Sequence, residues 1–405
     1  MEQKKSFMEK LKAAGPAAVI TSAFIGPGTI TTSTNAGVNF GYALLWAVVF
    51  SGISLIIIMN MASRLAIIGR KNIIDASVEL APNSNVWRGF ILGLLALVIG
   101  LTALGFEAGN LIGATSGFAD IFGLPTWLSA LLMGLVSLGA ILRSTPKFIE
   151  ILMKFFVAAM GIVFVITSIV VGPNVLDVIK GLLIPSVPSG SLVTTVALIG
   201  TTIIGINLVF HSIASADKWS NKSDLEDSYF DTKLNVSLGV AMTLAVIITT
   251  SAVLFGSGTI VNSPVVYSKA LEPVLGSWAR IFGSTGLVLA GLSSAIATPY
   301  MTGVIFGKLF KWDRENDVRL KIVAGIAVVI GTAFAMFGAR PTQIILFAQA
   351  TSGVFLPLIT ALFVIAANNK KLGEYKNTTF QNVLGVISVL VTLGLGLSTL
   401  YNVFF

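Results

Sequence analysis

The chain contains no cysteine, a single histidine and very little charge. Of its 405 residues only 11% are charged and 55% are hydrophobic, and the mean hydropathy is +0.91. Without cysteine there can be no disulfide, thiolate metal site or cysteine nucleophile. A soluble domain carries about 25% charged residues, so this composition excludes a soluble enzyme, a nucleic-acid-binding protein and a disordered chain. It indicates a protein that lies mostly in a lipid bilayer.

The few polar residues do not form the motifs of an enzyme. The only histidine is His211, and the sequence has no Gly-x-Ser-x-Gly elbow, no paired histidines and no phosphate-binding loop. We therefore expect no enzymatic activity, no cofactor and no nucleotide-driven pumping. Asp75, Glu79 and Asp231 fall near predicted helix ends, where helix capping or ion pairing is the expected role.

Apolar stretches long enough to cross a bilayer recur along the whole chain. A membrane helix needs about 20 predominantly apolar residues. We predict eleven such spans, at 17–38, 42–68, 91–119, 126–142, 148–172, 192–216, 235–257, 279–310, 322–339, 342–367 and 380–404. The organisation that follows is an N-terminal arm (1–12), a first five-helix repeat (13–172), a second five-helix repeat (192–367) and an eleventh helix (380–405).

The positive charges lie almost entirely on one side of the predicted spans. Of the 26 Lys and Arg residues, all but Lys180, Lys269, Arg280 and Arg340 fall on the side that carries the N-terminus. Positively charged loops remain in the cytoplasm. The net charge of +8 therefore predicts orientation, with a cytoplasmic N-terminus in a multi-pass plasma-membrane protein, and does not indicate a nucleic-acid partner.

Two predicted spans contain a segment that a helix tolerates badly. The first is Gly26-Pro27-Gly28-Thr29 in span 1, where proline removes a backbone donor and glycine favours leaving the helix. The second is Ile204-Gly205-Ile206-Asn207 in span 6. Interrupted helices at matching positions of two repeats indicate the binding site of a secondary transporter. We therefore predict substrate binding at these two segments.

Short motifs along nearly the whole chain resemble the Nramp family of proton-coupled divalent-metal transporters. These motifs lie at 14–16, 25–29, 35–37, 40–42, 44–46, 62–65, 289–294, 348–349, 355–357 and 368–373. The resemblance implies an all-α membrane protein of the LeuT type, with ten spans in two inverted halves plus an eleventh. It also implies that Gln349, which matches the family's glutamine in span 10, belongs to the substrate site.

The metal-ligand side chains of that family are missing from this chain. The family's Asp-Pro-Gly-Asn motif in span 1 corresponds to Gly26-Pro27-Gly28-Thr29 in this chain. Its Met-Pro-His motif in span 6 corresponds to Ile204-Gly205-Ile206. A divalent cation needs anionic or several neutral oxygen ligands, and soft sulfur favours transition metals. Only Gly26, Thr29 and Gln349 remain as weak candidate metal ligands.

The resemblance also suggests a route for protons. The family's Asp-x-x-Glu in span 3 corresponds to Glu107 and Asn110, and its second span 6 histidine corresponds to His211. An ionisable group at mid-membrane depth is costly and therefore a functional candidate, and an imidazole can titrate near physiological pH. We predict that Glu107, Asn110 and His211 take part in proton coupling.

Two functions remain open at this point. The first is proton-coupled uptake of a divalent cation by alternating access, including a hard cation such as Mg²⁺ in place of Mn²⁺ or Fe²⁺. The second is transport of a non-metal solute, either a small organic anion or a neutral metabolite, by a diverged member with the same fold. A membrane enzyme is improbable because the chain lacks the catalytic motifs that such an enzyme needs. A channel would also use unwound backbone, and a flux through liposomes that saturates at slow rates would exclude it. The expected partners are the solute, protons and the bilayer.

Overall fold

The structure, a computed structural model, describes residues 15–80, 84–143, 145–312, 317–337 and 356–404. Within these ranges every regular element is a helix. The helices are α1 (Pro16–Phe24), α2 (Pro27–Phe40), α3 (Leu45–Ile67), α4 (Ile73–Leu80), α5 (Asn85–Phe122), α6 (Thr126–Arg143), α7 (Pro146–Val170), α8 (Val175–Leu183), α9 (Leu192–Thr202), α10 (Gly205–Lys218), α11 (Leu225–Leu254), α12 (Val266–Lys269), α13 (Glu272–Leu275), α14 (Ala279–Leu309), α15 (Val318–Phe337), α16 (Leu356–Ala366) and α17 (Thr379–Phe404).

Eight helical runs in the described part of the chain are long and apolar enough to cross a membrane. They are Pro27–Ile67, Asn85–Phe122, Thr126–Arg143, Pro146–Val170, Leu192–Lys218, Lys222–Leu254, Gly276–Leu309 and Val318–Phe337. The first run contains both α2 and α3, which Gly41 separates with a φ of +57°. Two shorter apolar helices follow, and the predicted span 342–367 begins outside the described residues. The all-helical membrane fold is confirmed, and the count of eleven spans stays a prediction.

The predicted interruption of the first span is confirmed. Helix α1 ends at Phe24, Ile25 is non-helical with a ψ of 56°, and Gly26 is extended with a ψ of 179°. Pro27 then occupies the first turn of α2, a position where its missing N–H costs no hydrogen bond. Proline therefore both ends one half-helix and starts the next.

The predicted interruption of the sixth span is also confirmed. Helix α9 ends at Thr202, and Ile203 and Ile204 are both extended, with ψ values of 99° and 129°. Helix α10 starts at Gly205. A Cβ at Gly205 would lie 2.5 Å from Cδ1 of Ile359, so glycine lets α16 approach the start of α10 closely.

Helix α5 packs along α14 at the centre of the bundle, and α15 covers α5 and α6 from one side. Small residues make this close approach possible. A Cβ at Gly117 would lie 2.6 Å from the backbone oxygen of Ser284, and Gly291 meets the backbone of Ala114 in the same way. The α5–α14 pair places Asn110 and Ser294 beside the break at Gly26.

Candidate functional site

The two helix breaks lie side by side inside the protein. Helix α1 contacts α10, and α2 contacts α9, so the two interrupted helices cross at the level of their breaks. Ile25 and Ile203 are buried, and so is Ile204, at 4% exposed. Neither break faces the lipid, as expected for unwound backbone at membrane depth.

Backbone N–H groups without helical partners gather at the two breaks. The first hydrogen bonds of α2 and α10 run from Ile30 N to Gly26 O at 3.1 Å and from Leu208 N to Ile204 O at 3.2 Å. The N–H groups of residues 28–29 and 205–207 therefore lie outside the helical ladders. Helices α2 and α10 each present the positive end of a helix dipole at their break. The site offers hydrogen-bond donors.

The side chains predicted at the site add uncharged groups. Asn207 is 1% exposed, and its amide nitrogen has no hydrogen-bond partner among the described residues. The Thr29 hydroxyl donates to the backbone oxygen of Phe24, which links the two halves of the broken helix. Ile204 contributes only an aliphatic surface. Gln349 lies outside the described residues.

The described residues contain no group of three or more His, Cys, Asp or Glu side chains that could hold a metal ion. Gly26 and Thr29 lie at the break, as predicted, but they supply only backbone oxygens and a hydroxyl that is already hydrogen-bonded. Such ligands are poorly suited to a dehydrated divalent cation, which favours carboxylates.

Glu107 is completely buried in the middle of α5, and neither carboxyl oxygen has a hydrogen-bond partner among the described residues. Its Cγ lies 2.8 Å from where a Cβ at Gly331 would be, so the side chain packs against α15. Asn110 lies one turn further along and donates to the Thr298 hydroxyl at 3.4 Å. Glu107 is therefore beside the break region but on the α15 side of α5.

His211 faces a different set of helices. Its Nε2 lies 3.0 Å from the Ser63 hydroxyl on α3 and 3.5 Å from Thr232 on α11. The Ser228 hydroxyl donates to Ser63 at 2.8 Å, which extends this chain of hydroxyls. No hydrogen bond joins His211 to Glu107, so the two predicted proton carriers are not in direct contact.

A cavity of about 670 Å³ opens where α1 begins and α10 ends. We call it the vestibule. Val19, Phe210 and Tyr300 are among its lining residues, and the Phe210 and Tyr300 rings meet edge to face with centroids 5.9 Å apart. Charged residues surround the vestibule, including the ion pairs Lys218–Glu150 at 3.6 Å and Lys308–Asp217 at 3.3 Å.

Two contacts that sequence reasoning missed hold α1 in place. The buried Asp231 carboxylate accepts hydrogen bonds from the backbone of Gly15 and Ala17 at the start of α1. At the other end of α1, the Ser293 and Ser294 hydroxyls donate to the Ser22 backbone oxygen. Residues 289–294 form one of the family motifs and lie in α14. Their order in the sequence does not indicate that they contact the end of α1.

An all-helical membrane bundle with two adjacent interrupted helices defines the LeuT-type class of transport proteins. The family model described as "Natural resistance-associated macrophage protein-like" matches residues 17–402. The chain belongs to this Nramp family, whose members are membrane transporters and not enzymes. The family resemblance predicted from the sequence motifs is confirmed.

Relatives and solved structures agree with this assignment. A divalent metal cation transporter MntH of Yersinia enterocolitica is 28% identical over 95% of this chain and 94% of its own length. One of Erwinia tasmaniensis is 26% identical over 94% and 92%. A manganese transporter of Eremococcus coleocola superposes with a TM-score of 0.81 at 21% identity, over 98% of this chain and 88% of that one. MhsT in complex with L-phenylalanine gives 0.65 at 16% identity, with both chains fully covered.

Proposed function

We propose that this protein is a secondary transporter that works by alternating access and binds its cargo between the two helix breaks. The vestibule supports a state open on the side where α1 begins. On the other side Ser33 and Thr34 of α2 are 0% and 1% exposed, which supports a closed path there. By the distribution of Lys and Arg, the vestibule opens to the cytoplasm. We place the protein in the plasma membrane.

The cargo that the site supports best is a small organic solute with a carboxylate or a comparable acceptor group. The observation that carries this proposal is the set of N–H donors at residues 28–29 and 205–207 together with the unpartnered amide of Asn207. Helix N-termini bind anionic groups through such donors. No carboxylate of the protein occupies either break, so the donors are available to the solute.

A divalent cation is the second candidate, and the names of the MntH relatives favour it. A hard cation such as Mg²⁺ would keep part of its hydration shell and use the backbone oxygens at the breaks. The triple variant Gly26→Asp, Thr29→Asn and Ile204→Met gives back the family's ligands. If the backbone keeps the family geometry, this variant gains Mn²⁺ affinity that the unaltered chain lacks.

Calorimetric titration of the purified protein distinguishes the two candidates. We expect heat with members of a panel of small carboxylates and none with MnCl₂ or MgCl₂. Asn207→Ala should lose most of this binding, because among the described residues of the two breaks its amide is the only buried side-chain donor without a hydrogen-bond partner. Asn39→Ala is the matched control, since Asn39 is exposed and its amide bonds to Asn35. Heat with Mn²⁺ or Mg²⁺ alone would replace the solute proposal with the metal one.

Proton coupling through Glu107 is a further part of the proposal. A buried carboxyl without a partner can carry a proton across low-dielectric surroundings, and Asn110 lies one turn away on the same helix. His211 would act through its hydroxyl neighbours Ser63 and Ser228, not through Glu107. Glu107→Gln should abolish uptake driven by a pH gradient while solute binding remains measurable. Uptake that keeps its full pH response would remove Glu107 from the route.

A further inference from the structure

The short helix α8 lies close to the end of a membrane span. Val175, its first residue, comes five residues after Val170, the last residue of α7. Asn174 starts the helix, because its side chain accepts hydrogen bonds from Leu176 N at 3.1 Å and from Asp177 N at 3.3 Å. An extended chain advances at most about 3.6 Å per residue. Helix α8 therefore begins within about 18 Å of the end of α7.

One face of α8 is packed against the turn that joins α2 to α3. Val178 and Leu182 pack against an apolar cluster that contains Leu44. A Cβ at Gly181 would lie 2.1 Å from the backbone oxygen of Tyr42, so only glycine allows α8 to approach the turn this closely. This contact places α8 on the side of the protein where α2 ends, opposite the vestibule.

The chain that follows α8 is hydrogen-bonded to the same turn. The Trp46 indole N–H donates to the Ser186 backbone oxygen at 2.8 Å, and the Ser186 hydroxyl donates to the Ala43 backbone oxygen at 3.1 Å. Helix α2 starts at the first helix break and ends at this turn. Any movement of the far end of α2 must therefore carry α8 with it or break these contacts.

A second face of α8 is apolar and exposed. Its side chains are those of Val175, Leu176, Ile179 and Leu183, which are between 47% and 74% exposed. A helix turns about 100° per residue, so these four side chains share roughly a third of its circumference. Asp177 lies on the opposite side of the helix by the same count. The exposed apolar face is therefore distinct from the face that packs against the turn.

This apolar face continues the exposed apolar surface of the neighbouring spans. Ile166, Ile169 and Val170 at the end of α7, and Leu192 and Val193 at the start of α9, are all more than half exposed. Such side chains on a membrane span face the lipid acyl chains. A helix that lies in the membrane interface combines an apolar face of this kind with charged residues on the other side. Continuity with the two spans therefore identifies the bilayer as the partner of α8.

We propose that α8 is an interfacial helix that lies among the lipid headgroups opposite the vestibule and anchors the turn between α2 and α3 to that leaflet. Asp177 and Lys180 form an ion pair at 3.6 Å, so the charges of α8 cancel. Its binding to the bilayer therefore depends on the apolar face and not on anionic lipids. The proposal goes beyond the proposed function, because it assigns a lipid contact that positions α2 whatever the cargo is.

A fluorescent label on α8 tests the lipid contact. The chain has no cysteine, so Leu183→Cys gives a single thiol for the environment-sensitive dye NBD in phosphatidylcholine vesicles. Lipids that carry a doxyl quencher near the headgroup end of the acyl chain should quench this label about twofold or more compared with a label at Asp177→Cys. Addition of phosphatidylglycerol should leave the quenching at Leu183→Cys unchanged.

Equal quenching of the two labels would overturn the proposal, and the emission wavelength then shows what covers the face. A red-shifted emission at Leu183→Cys would mean that the face lies in water. A blue-shifted emission without lipid quenching would mean that a second copy of the chain covers it. Quenching that requires phosphatidylglycerol would contradict the apolar mode of binding.

A second reporter tests whether α8 positions α2. Ala36 of α2 is 0% exposed and belongs to the same apolar cluster as Leu44. Leu183→Glu places a charge on the apolar face, so the thiol of Ala36→Cys should react severalfold faster with a membrane-impermeant maleimide. Ile260→Glu is the matched control, because Ile260 is exposed in the loop after α11, and it should leave the rate unchanged.

Equal labelling rates in the Leu183→Glu and Ile260→Glu backgrounds would show that α8 does not position α2. If Leu183→Glu does not fold, Leu183→Ser serves in its place, since it also removes the apolar side chain. Neither the quenching nor the labelling experiment requires a solute. Their failure would therefore leave the proposed function standing, and a failed solute titration would leave the lipid contact of α8 standing.

Discussion

The Asp231 carboxylate of α11 holds the first turn of α1 by accepting a hydrogen bond from the Gly15 N–H at 2.9 Å. Its second oxygen accepts from Ala17 N at 3.0 Å, and Asn235 donates to the first oxygen at 2.8 Å. Asp231 is fully buried. Because α1 borders the vestibule, any movement of α1 that widens the vestibule must first break these bonds.

Asp231→Ala should therefore free the start of α1. Removing an acceptor from two buried N–H groups costs about 1–3 kcal/mol, which corresponds to roughly 5- to 150-fold in the population of the undocked state. The chain has no native cysteine, so Ala18→Cys, at a fully buried position, gives a single reporter thiol. We expect this thiol to react about ten times faster with a maleimide in the Asp231→Ala background.

Asp177→Ala is the matched control for this experiment, because Asp177 lies on α8 and is not part of the α1 contact. It should leave the labelling rate of the Ala18→Cys reporter unchanged. Equal rates in the Asp231→Ala and unaltered backgrounds would show that Asp231 does not restrain α1.

Two glycine-to-alanine variants should shift stability in opposite directions. At Gly113 of α5 an added Cβ would collide with the Pro27 ring at the start of α2. At Gly139 of α6 an added Cβ meets nothing within 4 Å. We expect Gly113→Ala to lower the Tm by several degrees, because overpacking costs about 1–3 kcal/mol. Gly139→Ala should raise the Tm slightly, because alanine stabilises a helix by about 0.5–1 kcal/mol relative to glycine. Equal effects on the Tm would contradict the close approach of α5 to the break.

The contribution of Glu79 on α4 to the stability of the folded protein should decrease at acid pH. Hydrogen bonds from Lys371 and Lys71 lower the pKa of its carboxyl from 4.5 to about 2. Because the pKa is lower in the folded protein, the stabilisation is complete above pH 4.5 and is lost as the pH falls towards 2. We expect the Tm difference between the unaltered chain and Glu79→Gln to shrink over this range. Lys371→Gln should reproduce the same trend, and a difference that does not vary with pH would contradict the assignment.

Arg64 should be essential for docking the chain that follows α16. Its buried guanidinium donates to Asn377 Oδ1 at 2.7 Å, to the Tyr375 backbone oxygen at 2.8 Å and to Gln381 at 3.1 Å. Lysine cannot reproduce this planar fork. Arg64→Lys should lower the Tm by several degrees, whereas Arg280→Lys, at an exposed position on α14, should leave it nearly unchanged. If both changes prove equally mild, the Arg64 network does not stabilise the fold.

The helix breaks can be predicted from sequence because their causes are local. Pro27 removes a donor and fixes φ wherever it stands, and the neighbouring Gly26 accepts the extended backbone that must precede it. The second break depends on Gly205 and its β-branched neighbours Ile203, Ile204 and Ile206. Glycine and β-branched residues each lower the stability of a helix locally. The family motifs then assign these breaks to one fold.

Contacts between helices are not encoded in such short patterns. The periodicity of α5 shows that Glu107 and Asn110 share a face, but not that Glu107 meets Gly331 of α15. Ser293 and Ser294 resemble ordinary small residues at a helix interface. Only the crossing of α14 with α1 places their hydroxyls at the Ser22 oxygen.

The most direct test of the account is a cryo-EM structure of the protein with a carboxylate solute that binds in calorimetry, in buffer that also contains Mn²⁺. We predict density for the solute within hydrogen-bonding distance of the N–H groups of residues 28–29 and 205–207, next to the Asn207 amide. Density for a metal ion at Gly26 and Thr29, or a solute bound away from both breaks, would contradict it.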